Sequence, residues 1–511
     1  MRADLLWFGA LLLLLLLIAV AFVPVAPGNP FAYDEADYMF AGTRGLLANF
    51  LDRPSQSLVE FITKGRELTQ NGQARSMSEY IRSTGDITFY RHYHGPVFAY
   101  WIAVLQSIGI SSEHGYRGAG LFLHSAGAIM LFWLFRLAFP QLGPFAAFTA
   151  AAVFATNRTA LVTATSITQH LVFAFFTGLS LLLLALYIRT RTLYWWYATA
   201  AFLAVAFASV EISVILIGCV VLTLLIIHWR DGWRQILLLI GKGAVAFLVT
   251  LTVVWPRGVL TLGALKGFLY LAYMTLYRKT FTPIGPFDLW GFKLKTYPLE
   301  FVPLLIALVA ATVFWPRFKS RNEMLPFLLY GWAFVAATMV ITLPYTYYHC
   351  SLPMCVAVVT GILCGELGRR AGAAAAASVL AALLICGVLS AAGFRREKLN
   401  ERLTLSTPAR VLQYVRTRAG LGSIVYAPSV LIPTLHYYLP AEKLIGFDLN
   451  AHLPEIAAQA ADAVPGAEVV CEQRACMAFE QQWPAVLRVQ KQEIGRMRDS
   501  GEIMWAYQLH R

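Results

Sequence analysis

The chain has 511 residues, 58% of them hydrophobic and 14% charged, with a formal net charge of +13 and a mean hydropathy of +0.61. Soluble domains carry about 25% charged residues, so a soluble enzyme is excluded and a polytopic membrane protein is expected. The basic residues fall in short clusters between apolar runs, at Arg189-Thr190-Arg191, Arg230 to Arg234, Arg317 to Arg321 and Arg369-Arg370. That is the pattern of cytoplasmic loops, and with no basic face on a soluble domain it argues against nucleic acid as a partner.

In chain order, Leu5 to Val25 is long enough to cross a bilayer. Its apolar run is longer than that of a cleaved signal, and prolines at 24, 27 and 30 crowd any cleavage site, so a retained first helix is expected. A polar stretch follows, 27–94, with no run able to span. It opens on Tyr33-Asp34-Glu35-Ala36-Asp37-Tyr38 and closes on Arg91-His92-Tyr93-His94-Gly95-Pro96. Further spans are expected near 118–138, 143–157, 165–188, 193–209, 211–228, 235–255, 298–315, 324–343, 350–368 and 372–393, which makes eleven, in a range of 11–13. Placing the Arg clusters in the cytoplasm puts the loops 257–297 and 344–349, the first loop and the C-terminal part on the opposite side. By that parity the segment Gly95 to Ile110 lies at the interface, with Tyr100 and Trp101 at headgroup depth.

From about Thr404 the composition changes. Ser423 to Tyr426, Leu444 to Phe447 and Glu468 to Val470 read as short strands, and Pro408 to Arg418 as a helix. The expected fold is a polytopic α-helical membrane domain over 1–403, including the loop 27–94, with a small extracytoplasmic α/β domain over 404–511. Cys471 and Cys476 lie in that domain. On an oxidising side they form a disulfide; in a cytosol they stay reduced. The other five cysteines lie in or beside apolar runs and read as packing residues.

A carboxylate at the mouth of a span can take a proton from a hydroxyl nucleophile or hold a divalent metal; an isolated acidic pair can equally well solvate a helix end. His and Arg beside an interface can grip a phosphate, or serve as headgroup anchors. Glu211 and His124 lie among apolar residues, where an ionisable group is a functional candidate by default. Glu211 reads as the turn between two short spans, and His124 as a bond to a neighbouring helix. Tyr345 to His349 is a further aromatic-histidine cluster on the outer side.

A first helix, then Asp34-Glu35, then a long loop closing on His94-Gly95-Pro96-Val97 with Tyr100-Trp101 behind it, resembles the GT-C membrane glycosyltransferases. The nearest in pattern are the protein O-mannosyltransferases and the lipid A aminoarabinose transferases. Ser166 to Leu171 and Val425-Tyr426 followed by His436-Tyr437-Tyr438-Leu439 resemble further family stretches. The sequence departs from the family at Gly95, where a proline is usual, and at His170, where an Asp is expected.

The resemblance implies inverting transfer of a sugar from a polyprenyl-phosphate donor to a lipid, glycan or protein acceptor at the outer face. It implies Asp34 as general base or acceptor-orienting group, with Glu35 assisting or holding a metal. His94 then lies near the donor phosphate, joined by Arg91, Arg257, Arg278, Lys279 and Lys295, with Lys266 and Lys293 in the same loop. Tyr33, His92, His170 and His349 are further cavity candidates. No cofactor is certain; Glu35 and His94 are the candidate ligands of a divalent metal. The expected location is a bacterial inner membrane, N-terminus cytoplasmic and C-terminal domain periplasmic. The rival readings are a lipid-linked glycan transporter or flippase, and a non-catalytic assembly subunit.

Overall fold

The computed structural model describes residues 2–23, 30–31, 34–51, 63, 94–262, 265, 269, 286–340, 349–403, 406–418, 424–428, 430–439, 443–447, 453–463, 467–483, 488–496 and 503–510. It divides into two compact units, one of residues 1–26 and 42–397, the other of 27–41 and 398–511.

Each of the eleven apolar segments is a helix. In the first unit these are α1 (Arg2–Phe22), α5 (Glu113–Ala138), α6 (Gly143–Ala155), α8 (Gln169–Thr190), α9 (Leu193–Phe207), α10 (Ser213–Ile227), α11 (Trp233–Val254), α14 (Pro298–Phe314), α15 (Arg321–Val340), α16 (Ser351–Ala371) and α17 (Ala373–Leu403). Shorter helices are α2 (Asp34–Thr43), α3 (Leu46–Leu51), α4 (Val97–Ser107), α7 (Arg158–Ala164), α12 (Pro256–Leu260) and α13 (Pro286–Thr296). Among the described residues seven helices are long and apolar enough to cross a membrane, or eight if the bent pair α6–α7 is one span. In hydrocarbon a backbone must satisfy its own hydrogen bonds, which is why apolar runs become helices here. The chain is an integral membrane protein.

Burial orders the bundle. The spans α8 and α16 are 83% buried and form its centre, whereas α17, at 11%, and α11, at 17%, face outward. Leu237, Leu238, Ile385 and Leu389 are among their exposed apolar side chains, as a lipid-facing surface requires. The centre is built on small residues. A Cβ on Gly361 would stand 2.7 Å from the Ala146 carbonyl oxygen, and one on Gly365 would stand 2.9 Å from the Ala146 Cβ. A small residue every fourth position lets α16 and α6 approach closely. Between α6 and α7 the chain bends by 59°, and Asn157 caps the new helix by accepting from the Ala160 N–H at 3.0 Å.

The basic clusters gather at one end of this unit. Arg136 donates to Asp4 at 2.8 Å, Arg189 to the Leu137 carbonyl, Arg191 to His228 at 2.8 Å, and Arg370 to the Arg317 carbonyl at 2.5 Å. The start of α1 shares that end, as the parity of the sequence requires.

The second unit holds a five-stranded sheet of β1 (Ile424–Pro428), β2 (Lys443–Phe447), β3 (Ala467–Glu472), β4 (Arg488–Arg496) and β5 (Ile503–His510). The strand order is β2-β1-β3-β5-β4. The first three strands pair in parallel and the last two antiparallel. Helices α18 (Thr407–Arg418), α19 (Ile432–Tyr438), α20 (Leu453–Asp462) and α21 (Gln473–Gln482) accompany it. Both faces are covered: Tyr426, Val469 and Cys471 enter one core with Phe479 and Tyr507, and Val425, Ala427 and Val470 enter the other with Leu412 and Leu435. β1 and β3 are buried along most or all of their length and carry the short apolar runs of covered strands. β2, at one edge with Lys443 and Gly446 exposed, was legible from its Leu-Ile-Gly-Phe run. The pair β4–β5 was not expected from sequence; β4 is an edge strand, and its Arg-Val-Gln-Lys-Gln-Glu pattern protects that edge while hiding the strand. Cys471 and Cys476 form a disulfide.

Candidate active site

The acidic pair begins α2, in the second unit. Asp34, Glu35 and Asp37 fill its first turn, where carboxylates meet the positive end of the helix dipole. Ala36, Tyr38 and Met39 are buried, as is Asp37, and Asp34 and Glu35 are half-buried. What holds the segment is α19. The Phe31 N–H donates to the Tyr438 hydroxyl at 2.8 Å across 407 positions. The Phe31 ring packs edge-on to Tyr437 at 5.5 Å, and Phe40 lies against His436 at 4.5 Å. Burial pushes His436 below the usual histidine range, so its ring is neutral at neutral pH. Residues 27–41 fall in one compact unit with 398–511.

In the first unit His94 is buried, with Nδ1 2.7 Å from both carboxylate oxygens of Glu211. Glu211 lies in the turn between α9 and α10, as read from sequence, and it serves there as the histidine's partner. Each of those helices has 15 residues and rises only about 22 Å, against a hydrocarbon thickness of about 30 Å. Both are tied to the basic end through Arg191 and His228, so their turn stops short of the other surface. The His94-Gly95-Pro96 segment descends to meet it. The Val97 N–H donates to the Ala208 carbonyl at 3.4 Å, and a Cβ on Gly95 would lie 2.0 Å from that same oxygen. Only glycine fits, which is the physical reason for the departure from the family pattern. The Tyr100 hydroxyl donates to the Val254 carbonyl at 2.9 Å, fixing α4 against the end of α11.

His170, at the start of α8, is buried. Its carbonyl accepts from the Cys350 thiol at 2.8 Å. His124 is buried and bonds the neighbouring helix through the Ala155 carbonyl at 3.1 Å, as expected.

A third group surrounds α13. His349 is buried and meets the edge of Trp290 at a ring distance of 6.4 Å. Lys293, one turn beyond Trp290, is 3% exposed, and its ammonium lies 5.3 Å from the Phe301 ring. Burial pushes Lys293 down to about 7, with Glu300 opposing. Among the described residues neither the Lys293 Nζ nor the Trp290 Nε1 has a hydrogen-bond partner. Lys293 was among the basic residues the sequence offered in this loop and Trp290 was not singled out; the depth of either could not be read, since a basic residue in an aromatic-rich loop gives no sign of its burial. Of the other expected phosphate contacts, Arg257 is half-buried on α12 and Lys295 is exposed. Tyr33, Arg91, His92, Arg278 and Lys279 lie outside the described residues. Among the described residues no three His, Cys, Asp or Glu side chains group closely enough to hold a metal.

A helical membrane bundle together with a separate small α/β unit is the GT-C architecture. Over residues 93–255 the chain matches the family described as dolichyl-phosphate-mannose-protein mannosyltransferase. That segment begins at the His94 motif and encloses Glu211 and His170; Asp34 and Glu35 precede it. The fold is similar to that of ArnT from Cupriavidus metallidurans bound to undecaprenyl phosphate, at 15% identity over 98% of each chain, with a TM-score of 0.61. It is also similar to that of the archaeal oligosaccharyltransferase AglB from Archaeoglobus fulgidus in complex with an inhibitory peptide and a dolichol-phosphate. There the identity is 13%, over 93% of this chain and 71% of that one, with a TM-score of 0.53. No curated protein sequence matches the chain.

Proposed function

We propose that the protein is an inverting glycosyltransferase that moves a sugar from a polyprenyl-phosphate donor to a lipid, glycan or protein acceptor at the outer face of the membrane. The observation that carries this reading is the match of 93–255 to a mannosyltransferase family, within a fold shared along its whole length with a protein solved on undecaprenyl phosphate. With the basic end in the cytoplasm, the His94–Glu211 pair and the α/β unit belong to the outer side.

In the proposed reaction the Asp34 carboxylate takes the proton of the acceptor hydroxyl. The acceptor oxygen bonds the anomeric carbon from the face opposite the leaving group, the bond from that carbon to the phosphate oxygen breaks, and polyprenyl phosphate departs. Glu35 orients the acceptor or holds a divalent metal. Leaving-group charge is met by His94, held by Glu211, and by basic side chains of the outer loops, among them Arg91, Arg257, Arg278, Lys279, Lys293 and Lys295. A lipid-linked donor brings its phosphate to the interface, so no glycine-rich nucleotide cradle is needed.

The test is transfer of labelled sugar from a polyprenyl-phosphate donor by the purified protein. Asp34→Asn should lower the rate roughly 100- to 10,000-fold with insertion and unfolding unchanged. Full activity in that variant would overturn the role of Asp34. Movement of the lipid across the membrane without transfer would instead make the protein a transporter, and neither activity would leave an assembly subunit.

A further inference from the structure

The stretch His436-Tyr437-Tyr438 ends α19, and the reaction proposed above gives it no task. It meets the segment that carries Asp34 and Glu35, and both belong to the second unit. The contacts fall on either side of the acidic pair. Three residues before Asp34, the buried Phe31 donates its amide N–H to the Tyr438 hydroxyl at 2.8 Å. Its ring stacks on Tyr438 at 6.4 Å and meets Tyr437 edge-on at 5.5 Å. Five residues after Glu35, the Phe40 ring lies 4.5 Å from His436. Tyr437 and Tyr438 brace each other edge-on at 4.8 Å, and the Arg416 guanidinium of α18 lies over the Tyr438 ring at 5.4 Å.

Two anchors of this kind constrain a short helix more than either does alone. Three links of about 3.8 Å join Phe31 to Asp34, and Phe40 lies about 9 Å along the helix from Asp34. The first anchor limits where α2 starts and the second limits its direction. Ala36 and Met39, both fully buried, set the face that it turns inward. Ring packing tolerates sliding, whereas a hydrogen bond weakens steeply as its angle departs from linear. The Tyr438 hydroxyl is therefore the directional part of the clamp.

We infer that Tyr438 is a positioning residue of the proposed transfer: its hydroxyl sets the place of the helix that carries Asp34 and Glu35. The inference rests on the assignment of Asp34 as the group that takes the acceptor proton. Such a group must come within about 2.6–3.2 Å of the hydroxyl it deprotonates. Misplacement by about 1 Å costs roughly 100-fold in rate. Tyr438 acts through α2 and takes no part in the proton or sugar transfer itself.

The test measures kcat and donor KM for sugar transfer, thermal unfolding, and amide hydrogen exchange over residues 30–41, all on the full chain in detergent. Tyr438→Phe keeps the ring and removes the hydroxyl. It should raise exchange over 30–41 about fivefold, as loss of one hydrogen bond does. It should lower kcat roughly 10- to 100-fold with donor KM within about twofold. Phe479→Leu, in the core on the opposite face of the sheet, should lower the unfolding midpoint at least as far and leave kcat and that exchange unchanged. An unchanged kcat or unchanged exchange in Tyr438→Phe, or an equal loss of kcat in Phe479→Leu, would overturn the inference. Phe40→Leu loosens the second anchor and should act in the same direction; it decides the matter by the same outcomes should Tyr438→Phe fail to fold. Asp34→Asn separates the two claims. If it is inactive with exchange unchanged, a fully active Tyr438→Phe removes the positioning role alone; if it is fully active, the assignment of Asp34 falls and the inference with it.

Discussion

Replacing Gly95 with alanine adds one methyl group where the structure has no room for it. The new Cβ would lie 2.0 Å from the Ala208 carbonyl oxygen and 2.5 Å from its carbon. Both are backbone atoms in a turn tied into α9 through the Ala208 N–H bond to Ala204, so no side chain can swing aside. The His94-Gly95-Pro96 segment must retreat by about 1 Å, a large step in an interior packed as tightly as a crystal. Overpacking of this kind costs about 1–3 kcal/mol. Losing the bond from the Val97 N–H to Ala208 adds about 1 kcal/mol, for a total of roughly 2–4 kcal/mol. The same retreat draws His94 away from Glu211, so sugar transfer should fall together with stability. Denaturant unfolding in detergent and a transfer assay measure the two effects. Gly9→Ala is the matched control, since a Cβ there meets nothing within 4 Å; it should be neutral or gain about 0.5–1 kcal/mol from helix propensity. A Gly95→Ala protein as stable and active as the parent would refute the docking of this segment on Ala208.

Glu211→Gln takes the carboxylate from a buried histidine and should cost about 1–3 kcal/mol of stability, with much of that recovered by the double variant with His94→Gln in an unfolding cycle. Lys293 holds its proton less tightly folded, at about 7, than its ordinary value of 10.5. Between those values the unfolded chain binds the extra proton, so stability should rise with pH from about 7 toward 10.5. Lys293→Met should flatten that slope, and an unchanged pH profile would contradict the lysine's burial. Reducing the Cys471–Cys476 disulfide opens a loop with only four residues between its ends, so the chain-entropy loss is about 2 kcal/mol. Limited proteolysis should show faster cutting of the C-terminal unit and no change in the bundle.

The sequence by itself determined the helices of the bundle, the gathering of its basic loops at one end, and strands β1 to β3. Each depends on neighbours along the chain: a backbone in hydrocarbon has no partner but itself, and a strand of a sheet core carries a short apolar run. Glu211 could be placed in its turn but not beside His94, because 117 positions separate them and their pairing depends on two short helices ending early. The packing of Phe31 and Phe40 on α19 was hidden for the same reason: the Tyr438 hydroxyl that meets the Phe31 amide lies 407 positions away. Tertiary structure alone decided which buried charges found partners. Glu300, for one, meets the Thr159 amide only in the folded chain, 141 positions away.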